Sequence, residues 1–408
     1  MSTAAKIEVT PDPVAQPVRV DEDFSVVLGG PLFQLFRRTY LSGSVLELLH
    51  RRVIVLVTVT WLPLLILSAW EGNAWGNNVR IPFIGDVDAH ARFLIAMPLL
   101  LGAELAVYHA MRNIVRQFVD RGLIPDNARA QFIAALTSAE RLRNSVLAEV
   151  LLVAFVYGVG VLIIWRKFVD VDLTSWHAPT QGQILNPSLA GWWLGLVSLP
   201  VFQFLFFRWY YRLLIWARFL WQVSRIKLNL LATHPDHQGG LGFLTIVNYA
   251  FAPLLLAQGA LLSGMIASRV LYIGTRLTDF KFDILGLVAV VVLAVLAPLL
   301  VFSPQLVEVK LRGRREYGAL AQRYVREFDN KWLRGSAPTE EQLMGNADVQ
   351  SLADLGNSYE AITAMRCVPF TARTVLQLAL ITLAPLAPLI LIVVPMDLIL
   401  NNLAKVIF

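Results

Sequence analysis

The chain has 408 residues, 56% of them hydrophobic and only 16% charged, with a formal net charge of +6. A water-soluble domain is about 45–50% apolar and about 25% charged, so this composition excludes an ordinary soluble globule. A single cysteine, Cys367, excludes an intrachain disulfide.

The apolar excess falls in blocks of about 18–20 residues, long enough to cross a bilayer as helix. The predicted fold class is all-α: a polytopic membrane protein with about seven transmembrane helices and a helical cytosolic layer. Residues 1–23 are polar, carry prolines and lack the basic start and apolar core of a cleaved signal, so they read as a disordered cytosolic leader. Residues 24–52 mix Leu32, Phe33 and Phe36 with Arg37 and Arg38, which predicts an interfacial helix.

Spans one to six are expected within residues 53–303, near 53–70, 92–110, 145–165, 189–207, 241–267 and 284–302. Cytosolic helices are expected at 111–144, with Asp126 and Ser138 as candidate caps, and at 208–235. In the latter, Arg208, Arg212, Arg218 and Arg225 share no clean face, which predicts a membrane-hugging or protein-packed helix. Residues 304–373 turn amphipathic, with Tyr317, Leu320, Tyr324, Phe328 and Trp332 at three- and four-residue steps. Thr339 and Asp348 are cap signals for further cytosolic helices in that stretch. Span seven is expected at 374–394, and residues 395–408 as an interfacial tail.

Orientation follows from lysine and arginine. With the N-terminus in the cytosol, 25 basic residues fall on the cytosolic side and 8 on the other, leaving Lys6 and Arg19 in the leader. That bias predicts N-inside and C-outside. It also accounts for the net positive charge without an acidic partner.

The densest polar run is Thr233 to Phe243, Thr-His-Pro-Asp-His-Gln-Gly-Gly-Leu-Gly-Phe, at the cytosolic mouth of span five. His234, Asp236 and His237 are ligand types suited to zinc or another transition ion. Gly239, Gly240 and Gly242 open a helix and suit an anion or a regulatory contact through their amides. The plainer reading is a shaped turn in which Asp236 accepts backbone N–H bonds. The glycines match neither the dinucleotide fingerprint nor the P-loop, and the sequence identifies no cofactor.

This loop, with Tyr324 to Trp332 and Ala347 to Leu355, resembles a set of uncharacterised bacterial multi-pass membrane proteins that share a Thr-His-Pro-Asp-x-x-Gly-Gly-Leu-Gly-Phe-Leu segment. The likeness covers about the second half of the chain. It implies a bacterial inner-membrane location and no particular activity.

Prolines mark most of the spans. Pro98, Pro200, Pro253, Pro298, Pro385 and Pro388 each remove a helix hydrogen bond and are candidate hinges. Polar residues inside spans are few. Glu104 is the one carboxylate well inside apolar sequence, eight residues before Arg112, hence about 12 Å from it along a helix. An acid at that depth is a candidate for carrying a proton or binding a cation, with His109 or a span-three group as the alternative partner. Gln203, Asn248 and Gln258 are candidates for lining a path or for tying helices together.

The leading expectation is therefore movement of an ion or small solute across the inner membrane. The alternative is a membrane scaffold or sensor, in which residues 304–373 bind a cytosolic protein partner or a second copy of the chain. A third is a membrane-embedded enzyme using the His234/Asp236/His237 loop, although no serine elbow, Cys/His pair or His-Glu-x-x-His helix is present. The aromatics among the cytosolic arginines have a bilayer to sit in, so no nucleic-acid partner is expected.

Overall fold

The computed structural model describes residues 29, 49–76, 78–164, 174–179, 187–335, 341–343 and 345–389. The predicted leader, the interfacial helix up to residue 48 apart from Gly29, the end of span seven and the tail lie outside the described residues.

The apolar blocks form helices in the expected order. α1 is Leu49–Trp70, α2 Val87–Asp120, α3 Asp126–Arg143 and α4 Val146–Gly160. α5 is Leu189–Val223, α6 Leu244–Ile273, α7 Leu277–Leu333, α8 Ala347–Ala364 and α9 Ala372–Leu389. Six of these are long and apolar enough to cross a membrane, and α4 makes a seventh when taken with α3, from which it bends by 44°. The protein is thus an all-α membrane protein; among the described residues the only β pairing is two isolated bridges linking Ile81, Ser175 and Ala178.

Sequence chemistry explains which faces turn inward. Along Val146–Phe155, the first part of α4, Glu149 is the only buried residue, while Val146, Leu147, Val150 and Leu151 are exposed. Ile54 and Ile66 of α1 and Phe282, Leu285 and Leu293 of α7 are likewise exposed. In water such a surface would be a liability; against lipid tails it costs nothing. The core runs between α2, α5 and α6, where Phe93, Leu100, Phe118, Trp209, Trp216, Phe219, Leu254 and Leu255 are all but fully covered.

Polar groups tie the helices where lipid could not satisfy them. Ser198 Oγ donates to the Thr60 carbonyl at 2.7 Å, and Trp209 Nε1 donates to the Leu100 carbonyl at 2.9 Å. The first contact fastens α5 to α1 and the second fastens it to α2. Trp61 Nε1 donates to His90 Nδ1 at 3.0 Å and Trp176 Nε1 to Asp86 Oδ2 at 2.9 Å.

Some expected details differ. Ser138 lies inside α3, and it is Ser145 that caps α4, accepting from the Ala148 amide. Asp126 makes no cap bond but pairs with Arg129 at 2.9 Å. The expected helix at 208–235 is the end of α5 and stops at Val223, where Gln305 Nε2 of α7 donates to the carbonyls of Ser224 and Ile226. The expected helix at 111–144 is divided between the end of α2 and α3. Span six and the amphipathic helix after it are one continuous element, α7. α8 is capped by Asn346, which accepts from the Asp348 amide at 2.8 Å, whereas Thr339 lies outside the described residues.

Several prolines coincide with departures from α geometry, whereas Pro63 lies inside α1 without one. π turns at Ala91–Ala96 and Leu194–Ser198 directly precede the segments begun by Pro98 and Pro200. α6 breaks at Phe251 just before Pro253, and Pro298 and Pro385 lie in 3₁₀ turns at Ala297–Phe302 and Ala384–Leu386. A residue without an N–H cannot serve the carbonyl one turn back, and the wider or tighter turn is the local relief. Pro388 lies in the helical turn that follows.

Candidate functional site

Two polar regions lie inside or just below the bundle. The first centres on Glu104. Its carboxylate meets Arg52 of α1 at 2.9 Å, Arg212 of α5 at 2.8 Å and Arg208 at 3.5 Å, and Arg208 also meets Glu149 of α4 at 3.2 Å. All five side chains are buried. Arg208 and Arg212 are one turn apart, so a single face of α5 presents both, and Trp209 stacks beneath the Arg212 guanidinium at 4.9 Å. Arg208 also donates to the Gly29 carbonyl at 3.4 Å. This knot makes α5 a protein-packed helix at Arg208 and Arg212, whereas Arg218 is exposed. His109 is not the partner of Glu104: its Nδ1 lies 2.9 Å from the Leu105 carbonyl.

The second region is the loop between α5 and α6. Asp236 accepts from the amides of Gln238 at 2.7 Å, Gly240 at 3.1 Å and Gly242 at 2.8 Å. Burial would push its carboxyl up, but these three amides, with His234 Nδ1 at 2.9 Å, hold it below the usual carboxylate range. Gly239 and Gly240 adopt φ of +66° and +99°, which side-chain-bearing residues rarely do, and His237 carries its own positive φ of +53°. That strained turn aims the His237 carbonyl at the Arg366 amide, 2.8 Å away, and so docks the link between α8 and α9. The dense polar run is therefore a crossing point where α2, α7 and the α8–α9 link meet. His234, Asp236 and His237 do not converge on a common point: among the described residues no group of three or more His, Cys, Asp or Glu is placed to hold a metal ion.

Beside this loop is an open cavity of about 600 Å³. One wall is the start of α6, with Thr245, Ile246 and Tyr249; another is the start of α9, with Arg373 and Gln377. Arg121, at the end of α2, and Gln238 of the loop complete it. Thr371 caps α9 by accepting from the Thr374 amide, which aligns that helix end with the cavity. Tyr249 donates to Gln377 Oε1 at 2.5 Å and so bridges α6 and α9. Deeper in, the two helices touch backbone to backbone: a Cβ on Gly259 would stand 2.0 Å from the Thr382 carbonyl oxygen. This close approach follows from the small residues Gly259, Ala260 and Ser263.

The residues singled out for a path are thereby dispersed. Glu104 belongs to the ion knot, and Gln203 lies at the α4–α5 contact, where a Cβ on Gly160 would strike its Oε1. Asn248 and Gln258 are both on α6, buried, each with its amide nitrogen lacking a hydrogen-bond partner. Sequence reasoning missed Arg121, Arg373, Gln238 and Tyr249 as one group. Three of the four are spaced across more than a hundred residues, and no local pattern joins them; only Gln238 stood inside the run already singled out.

Compared with protein-family models, with curated proteins and with solved structures, the chain matches none.

Proposed function

We propose that the protein moves a small solute across the bacterial inner membrane, along a path between α6 and α9. The observation that carries this reading is the open cavity at one end of the α6–α9 seam, closed further in by the Gly259–Thr382 contact. Both helices are broken near that closure, α6 before Pro253 and α9 at Pro385, and a carbon of Pro385 is itself packed at Gly259. A seam sealed by backbone contact and flanked by hinges is suited to opening and closing. The buried, unpartnered amides of Asn248 and Gln258 on α6 are suited to a polar solute passing along it.

The basic asymmetry supports an N-inside orientation, with the cavity facing the cytosol, and the resemblance of the Thr233 to Leu244 segment supports the inner membrane. Reporter fusions after residues 76, 179 and 276 are expected to read periplasmic.

Cysteine accessibility tests the path without a known substrate. Cys367 is exposed and is first replaced by serine. A cysteine at Gln258 is then expected to react with an impermeant thiol reagent from both faces, in spheroplasts and in inverted vesicles. Reaction from neither face, with a cysteine at Tyr249 still reacting from the cytosolic face, would end the transport reading.

One observation favours a second reading, a scaffold that binds a partner or a second copy of the chain. The cytosolic half of α7 packs chiefly against α8 and leaves Leu311, Leu320, Val325 and Leu333 exposed. Loss of a co-purifying partner on Leu320→Glu, with Gln258 unreactive throughout, would favour it.

A further inference from the structure

We propose that the cavity beside the Asp236 loop is a binding site for a small organic phosphate, or for the same group on a lipid head. The proposal rests on the reading of that cavity as the mouth of the path.

Charge comes first. Arg121 and Arg373 reach the cavity from separate elements, the end of α2 and the start of α9. Neither forms an ion pair among the described residues: Arg121 contacts the Gly240 carbonyl at 3.5 Å and stacks over Phe243 at 5.1 Å. The one acid in the wall is Asp236, and its charge is already taken up by three amides and His234. The cavity is therefore cationic in its uncommitted groups. A pair of guanidiniums suits the fork geometry and the charge of a phosphate.

A second observation is independent of charge. Gln238 is 6% exposed and lines the cavity, yet its Oε1 is buried without a hydrogen-bond partner. A buried acceptor left open costs stability and calls for a donor. A rotation of the Gln238 amide would turn that acceptor to the cavity, where the P–OH of a singly protonated phosphate, or a hydroxyl next to a phosphate ester, supplies the donor. Chloride or a fully ionised sulfate supplies none.

Size and lining give the rest. About 600 Å³ is more than a bare phosphate occupies and falls in the range of sites for small organic ligands. Phe243, Ile246 and Tyr249 present apolar surface to that remaining volume. The ligand class is thus a phosphate joined to a short organic body.

The test uses the full-length protein in neutral detergent, with glycerol 3-phosphate, inorganic phosphate, sulfate and the uncharged glycerol as probes at equal ionic strength. Saturable thermal stabilisation is expected with glycerol 3-phosphate, more weakly with inorganic phosphate, and not with glycerol. Arg121→Gln with Arg373→Gln is expected to weaken that binding at least about tenfold. Gln238→Met keeps both arginines and is expected to narrow the preference between phosphate and sulfate.

A parallel arm places the protein in vesicles of phosphatidylglycerol or of phosphatidylcholine. Stabilisation by phosphatidylglycerol alone, abolished by the arginine variants, assigns the site to a lipid head; the phosphate site then stands and the transport reading of the cavity falls. Binding of glycerol 3-phosphate with Gln258 closed to thiol reagents likewise retains the site and removes the path. No saturable stabilisation by any probe or lipid, or stabilisation equal in the double arginine variant, overturns the proposal, whatever the accessibility of Gln258.

Discussion

The bundle holds its polar groups in two opposite ways. Between α1, α2, α4 and α5, full charges are buried and matched at ion-pairing distance around Glu104 and Arg208. α6 carries two buried uncharged amides with open valences, Asn248 and Gln258, and the cations stand at the cavity between α6 and α9. A buried ion pair contributes little net stability compared with an apolar pair, but removing one partner is severe. The knot is therefore a lock that fixes how four helices sit. On the proposed path, the seam is where a group would enter or leave without stranding a charge.

The largest expected effect breaks the lock. Glu104→Gln keeps the shape but leaves three arginines around a neutral amide, at a cost of about 3–5 kcal/mol. Unfolding in detergent should shift far toward lower denaturant, or folded protein should be lost. Joint replacement of Glu104 and Arg212 by leucine should be milder than Glu104→Gln. An unfolding curve unchanged by Glu104→Gln would show that the arginines are satisfied without it.

Next comes the seam. Gly259→Val drives side-chain atoms into the Thr382 carbonyl and should destabilise by about 1–3 kcal/mol. It should also raise cysteine reactivity at Gln258 by forcing α6 and α9 apart. Gly286→Ala on α7, where a Cβ would meet nothing, is the matched control and should be neutral or slightly stabilising.

The Asp236 loop should respond by a comparable amount. Asp236→Ala leaves three amides without their acceptor, about 1–3 kcal/mol. Because the folded carboxyl is held below its ordinary value, its contribution is complete above the ordinary carboxylate range, about pH 4. It is lost as pH falls below that range, through the folded value. The gap between wild type and Asp236→Ala should thus close on acidification, and a gap that widens would contradict the assignment. His234→Ala removes only one of the contacts and should cost under about 1 kcal/mol.

The smallest effect is at the bridge over the cavity. Tyr249→Phe deletes a part-exposed hydrogen bond and should alter stability by about 0.5–1 kcal/mol, yet it should speed labelling of a cysteine at Thr245. Equal labelling rates would mean that Tyr249 does not gate the cavity.

The spans were legible because each is a run of apolar residues set by bilayer thickness, and α1 and α6 begin and end within a few residues of their apolar blocks. Caps were less legible. Ser138 is followed by Glu140, Arg141 and Arg143, and Ser145 by the apolar run; the helix breaks at Ser145, with the 44° bend between α3 and α4, a property of the assembled bundle. The end of α5 at Val223 is set by Gln305 of α7 taking its terminal carbonyls, a partner about eighty residues away. Glu104 stands out in the sequence by its depth, while Arg208 and Arg212 read as part of the helix at 208–235 and Arg52 as the end of the interfacial stretch. They belong to helices distant in sequence, and the pattern along a single helix carries no record of them. The Asp236 turn was the exception, since proline, aspartate and glycines at those spacings specify the backbone without help from elsewhere.

α7 has 57 residues in one continuous helix, and it begins directly beneath the turn that closes α6. At the usual rise that is a rod of about 85 Å, well over twice the hydrocarbon thickness of a bilayer. Its far portion beyond Phe302 runs for about 45 Å. With the angle at the Ala297–Phe302 turn held fixed, a tilt of about 10° along α7 moves its far tip by about 8 Å. Lys310 and Gln305, near the fulcrum, are bound to the Met365 carbonyl and to the end of α5 and move little. Trp332 and Lys331, which hold Asp348 at the start of α8, lie near the far end of the beam. A change in the tilt of this one helix would thus be passed on to the start of α8, which its far end holds.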